Sequence, residues 1–141
     1  MAVTISLYNH TAKLFADGSN AAADTYKVKL FTAATFNATH TTETAAGGTE
    51  VANGNGYTTG GATLANVTVS TVTTNDAKFD ADDVTWTAGG STLSASYARV
   101  YNSTDSTPLA FIDFGESKSA GAGTDFLIQW DSTGIFTFTV V

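Results

Sequence analysis

The polar side chains of this sequence are chiefly Thr, Ser and Asn, interspersed with 13 Gly, and that choice constrains the fold more than any other feature. Thr is β-branched and stiff at χ1, so it suits the solvent face of a strand while its hydroxyl stays hydrated. The straight-chain helix formers Glu, Gln, Lys, Arg and Met are scarce. Charged residues make up 13%, against about 25% in an ordinary soluble domain. The expected fold is all-β and mainly antiparallel, a β-sandwich or jelly-roll-like arrangement of about seven strands in a single domain over residues 1–141. A chain of this length buries enough surface to fold without a staple, and it contains no Cys to make one.

Periodicity places the elements. Residues 4–16 are the one candidate helix: Ile5, Tyr8, Ala12 and Phe15 recur near helical spacing, and Gly18 stands where a left-handed C′ residue is wanted. Thr4 or Ser6 is the cap in that reading, and a strand over residues 3–8 competes with it. From Thr25 the period becomes two, with Tyr26, Val28 and Leu30 on one face. Residues 33–49 are Thr- and Ala-rich and read as a long exposed connection. The run Glu50-Val51-Ala52-Asn53-Gly54-Asn55-Gly56-Tyr57 holds two Asn-Gly pairs and reads as turns.

Further strands are expected over residues 64–72, 78–87 (bent at Asp80-Ala81-Asp82-Asp83), 93–101, 109–114, 124–130 and 134–141. In residues 64–72, Val67, Val69 and Thr71 form one face. In residues 93–101, Leu93, Ala95, Tyr97, Arg99 and Tyr101 alternate against Ala98 and Val100. Arg99, among apolar neighbours, needs an acid, and Asp113 is the expected partner.

Motifs for chemistry are weak. Gly54-Asn55-Gly56 lacks the spacing and the following helix of a dinucleotide site. Asp80, Asp82 and Asp83 fail the EF-hand pattern, so a solvated turn is the reading, with an opportunistic cation as the alternative. His10 and His40 belong to no nucleophile motif and read as surface residues. No residue pattern calls for a catalytic residue, a metal ligand or a cofactor, and the expectation is a protein that is not an enzyme. Asn9, Asn37, Asn66 and Asn102 begin Asn-x-Ser/Thr sequons, which a Thr-rich chain produces by chance. A formal charge of −7 argues against nucleic acid as a partner. No apolar run is long enough for a membrane helix, and the first residues do not resemble a secretory signal.

Several blocks carry a resemblance: residues 6–10, 50–64, 79–88, 98–102, 109–115 and 126–135. Together they resemble a family of small tailed-bacteriophage structural proteins. The resemblance implies a virion component made in the bacterial host cytoplasm, with capsid decoration (cement) on the outer shell as the expected role. Its implied partners are the major capsid protein and other copies of itself, with a trimer expected. A tail or head-fibre component is the alternative, and a carbohydrate-binding β-sandwich module using exposed aromatics is another. Interface contacts are expected at Leu7, Tyr8, His40, Asn53, Asn55 and Tyr57.

Overall fold

The computed structural model describes residues 2–72 and 76–139. In chain order the elements are β1 (Thr4–Leu7), α1 (Thr11–Ala16), β2 (Tyr26–Ala33), α2 (Glu43–Ala46), β3 (Thr49–Glu50), β4 (Ala62–Thr63), β5 (Thr68–Thr71) and β6 (Asp76–Asp80). They continue with β7 (Val84–Thr87), β8 (Leu93–Asn102), β9 (Thr107–Ala120), β10 (Asp125–Ile128) and β11 (Phe136–Thr139). Among the described residues every strand pairing is antiparallel. The main sheet runs β1-β9-β8-β2-β3, with β4 also on β2; β10-β7 and β11-β6-β5 form two smaller sheets. The fold is an all-β, sandwich-like arrangement with little helix.

The principal core lies between the main sheet and the two smaller ones. Tyr26, Val28 and Leu30 of β2, Ala98 and Val100 of β8, and Ala110, Ile112 and Phe114 of β9 face inward from one side. Phe79, Val84, Trp86, Phe126, Ile128 and Phe136 meet them from the other. Alternation along each strand is what sends these residues to a common side. Phe79 is the aromatic hub: its ring stacks on Phe136 at 4.9 Å and meets Tyr26 edge-on at 5.0 Å and Phe15 at 5.5 Å. That one side chain joins α1, β2, β6 and β11.

Several sequence expectations change here. The helix over residues 4–16 splits into strand β1 and the shorter helix α1, because Thr4 to Leu7 take ladder positions beside β9. The helix therefore starts after His10, which makes no side-chain cap bond, so neither Thr4 nor Ser6 caps it; Gly18 does adopt a left-handed φ of 78°. Residues 64–72 also divide, since Asn66 takes φ 51° and interrupts the extended run. Beyond it β5 is exposed along its whole length, so Val69 and Thr71 are not core residues, whereas Leu64 before the break is buried.

Strand β8 does not keep a single alternation. Its pairing with β9 shifts register between Ala95 and Tyr97, and the shift turns the strand over. Leu93 and Ala95 consequently share the core with Ala98 and Val100, while Tyr97, Arg99 and Tyr101 point to the opposite face. The final expected strand, 134–141, is shortened to β11, and positions 140–141 lie outside the described residues.

Replacing the hub tests this account of the core. Phe79→Ala is expected to cost about 3–5 kcal/mol, the range for deleting a buried aromatic. Urea denaturation followed by tryptophan fluorescence reads it as a lower midpoint.

Candidate functional site

The outer face of the main sheet is where the polar chemistry of the chain collects. Arg99 is 1% exposed there. Its Nε donates to Glu43 Oε1 at 2.7 Å, and its Nη2 donates to Glu43 Oε2 at 3.1 Å and to the Gly47 carbonyl at 2.8 Å. The guanidinium lies 4.5 Å from the Phe31 ring centroid. Lys29 adds a third bond to the same carboxylate, from Nζ to Oε2 at 3.0 Å. This bidentate, desolvated geometry is the arrangement that makes a buried ion pair tolerable.

Asp113, the expected partner, is otherwise engaged: its Oδ1 accepts from the Gly115 amide at 2.8 Å. Glu43 comes from the connection over residues 33–49, which is therefore not simply an exposed loop. Thr42 caps α2 by accepting from the Ala45 amide, and that turn aims Glu43 at the sheet. Ala46 is buried with Tyr8 and Phe111, and Phe36 stacks on Phe111 at 5.6 Å and meets Tyr8 edge-on at 5.1 Å. The segment is a strap clamped on the outer face. A cue existed in the sequence, since Glu43 is the only Asp, Glu, Lys or Arg in residues 33–49.

The six residues expected at an interface take different places. Tyr8 and Tyr57 are 1% and 2% exposed, so their side chains belong to the packed interior and present nothing to a partner. Tyr57 donates to Glu50 Oε1 at 2.7 Å and accepts from the Leu30 amide at 3.1 Å, fastening the turn to β2. Leu7 is half-buried against the core. His40 is half-buried in the strap, with its amide donating to the Asn37 carbonyl at 3.1 Å.

Asn53 is exposed and accepts from the Thr59 amide at 3.2 Å. Asn55, at φ 54°, exchanges two bonds with the Ser91 backbone, at 2.9 and 3.1 Å. Gly56, between Asn55 and Tyr57, has φ 88°, and a Cβ there would lie 1.9 Å from the Thr87 carbonyl, so the turn sits directly on β7. The structure keeps Asn53, Asn55 and Tyr57 together in one turn, while Leu7 and Tyr8 border α1.

The acidic residues are similarly occupied. Asp80 pairs with Lys78 at 2.8 Å, Asp82 accepts from Asn66 Nδ2 at 2.7 Å, and Asp83 accepts from the Trp130 amide at 2.9 Å. Among the described residues no group of three or more His, Asp and Glu is arranged to hold a metal ion. His10 sits against the carbonyl of Pro108, at 2.7 Å from Nε2. Of the sequons, Asn102 is fully buried, donating to Asn20 Oδ1 and Asp24 Oδ2, and so is inaccessible to modification in the folded chain.

Comparison with models of known protein families, with curated proteins and with solved structures finds no match. What the surface offers is therefore read from its own chemistry. Exposed large apolar side chains gather where β1 approaches β10: Val3, Ile5 and Leu127 are 54%, 43% and 53% exposed. They line one groove. Trp86 and four of the tyrosines, by contrast, are packed inside.

The outer face generates one prediction and the buried tyrosines another. Glu43→Gln leaves the Arg99 charge buried without its counter-ion and is expected to cost about 3–5 kcal/mol. The double variant Glu43→Leu with Arg99→Met removes both charges and should recover most of that loss, because an apolar replacement of a buried pair is often neutral. Urea midpoints of the two variants compare directly.

The second concerns alkaline pH. Burial raises the phenol of Tyr101 to about 12, reinforced by Glu43 and Glu50. Burial also raises Tyr26 and Tyr57, helped by Asp24 and by Glu50 respectively, and raises Tyr8 against the opposing charge of Arg99. Above the unfolded value of 10.0 the folded chain holds protons that the unfolded chain releases, so stability falls as pH rises from 10 toward 12. The phenolate absorbance of these four tyrosines is expected to appear together with loss of the folded circular-dichroism signal.

Proposed function

We propose that this chain is a structural component of a tailed-bacteriophage virion, a capsid decoration (cement) protein that binds the outside of the shell and stabilises it. The observation that carries this reading is the apolar groove beside β1, with Val3, Ile5 and Leu127 exposed at its lip. Such a surface suits attachment by faces to a large partner. The charged groups described above support the same reading, because they are committed to holding loops on the sheet: Glu43 to Arg99 and Lys29, Glu50 to Tyr57 and the Gly60 amide.

In this reading the partner is the major capsid protein, and copies of the chain associate on the shell, with a trimer as the working stoichiometry. The net charge of −7 favours the exterior over contact with packaged DNA. A tail or head-fibre position uses the same kind of surface, and labelled antibody distinguishes the two by decorating the whole shell or one site. A glycan-binding module, which needs flat aromatic faces in solvent, is the other alternative: Trp86, Tyr8, Tyr26, Tyr57 and Tyr101 are packed inside, while Trp130 is half-buried at the groove and Phe36 is 37% exposed.

Shells assembled without this protein provide the test. Added chain is expected to bind assembled shells in preference to isolated capsid subunits and to raise the temperature at which they rupture. An unchanged rupture temperature with saturating protein would overturn the proposal.

A further inference from the structure

Strand β1 closes one end of the main sheet: β9 lies on one side of it, and no strand among the described residues lies on the other. The Tyr8 amide donates to the Leu109 carbonyl at 3.1 Å. Peptide groups in an antiparallel pair alternate inward and outward. Thr4 and Ser6 therefore turn their N–H and C=O groups to β9 as Tyr8 does, while those of Ile5 and Leu7 point away from the sheet.

Natural edge strands are blunted by being very short, by Lys or Pro, by a bulge or by an overlying segment; β1 is four residues long. β1 has no charged residue and no Pro, and its register with β9 is continuous. It also borders the groove of about 490 Å³ whose walls are Val3, Ile5, Ile112, Phe114, Phe126 and Leu127. An open backbone edge beside an apolar channel is the geometry of strand addition, in which main-chain bonds supply affinity and alternate side chains fill the channel.

Charge narrows the occupant. The rim carries Asp125, Asp131 and Lys118. The lysine is already neutralised by Glu116. Hydrogen bonds from the Thr133 amide and hydroxyl hold the Asp131 carboxyl below the usual range, so it stays charged. The rim is thus acidic, on a chain of net charge −7. A second copy would set acid against acid across the groove.

We propose that the β1 edge receives an extended strand of another protein, apolar at alternate positions and carrying Lys or Arg at its flanks. This stands on the groove alone and does not depend on the shell reading.

Two synthetic probes test it on the full chain: a short peptide alternating Val and Thr with Lys at each end, and the same peptide with Glu in place of Lys. The Lys peptide is expected to slow hydrogen exchange of the Ile5 and Leu7 amides by about tenfold, less so at high salt. The Glu peptide should protect them far less. Val3→Lys, at an exposed position, should weaken binding of the Lys peptide by about tenfold without changing the melting temperature, and Leu127→Lys should do the same from the opposite wall. The proposal is overturned if neither peptide protects those amides, if the Glu peptide protects them equally, or if neither substitution weakens binding. It is also overturned if concentrating the chain alone protects them, which would mean that a second copy takes the edge.

Discussion

Strand β8 is buried on both faces from Ala98 to Asn102, and the rest of the molecule is arranged around that constraint. One face meets the two smaller sheets in an apolar core. The other carries Arg99, a charge that must not be left unpaired away from water. Covering it requires an acid from outside the sheet, and the acid arrives on the strap over residues 33–49. A single ion pair thereby converts a stretch rich in Thr and Ala into part of the fold, and Phe36, Ala46 and Phe111 pack around it.

Loop attachment follows the same logic elsewhere. The Asn53–Tyr57 turn is held by Tyr57 to β2, by Asn55 to the Ser91 backbone, and by the close approach of Gly56 to Thr87. The start of α1 is held by Thr11, whose hydroxyl donates to the Leu109 carbonyl at 2.8 Å. With few charges available, the chain anchors its connections by hydrogen bonds to sheet carbonyls and amides. The surface left over is low in charge, and three of its exposed large apolar side chains, Val3, Ile5 and Leu127, share the groove at the β1 edge, while Phe36, Val69 and Val72 are exposed elsewhere.

Much of the architecture was legible in the residues. The alternation of Tyr26, Val28 and Leu30 marked β2 and its core face, and the Asn-Gly pairs marked a turn. What escaped was whatever depended on a neighbour distant in sequence. Tyr8 and Tyr57 are expected at an interface, yet each ring is packed among residues brought from distant segments. The break at β8 also escaped, because a register shift is a property of two strands and leaves no mark in one. The candidate surface was not legible; Val3, Ile5 and Leu127 stand together because β1 and β10 line one groove, more than a hundred positions apart in the chain.

By itself the sequence determined the class of fold, since β-branched polar residues, period-two patterning and abundant Gly leave antiparallel strands and tight turns as the favoured local structures. It also determined that Arg99 would need a counter-charge. Which carboxylate answered, which face of β8 turned inward, and which edge stayed open were decided only in three dimensions. Local preference acts over a few residues, whereas pairing, register and burial are set by whichever distant segments reach the same place and desolvate it together.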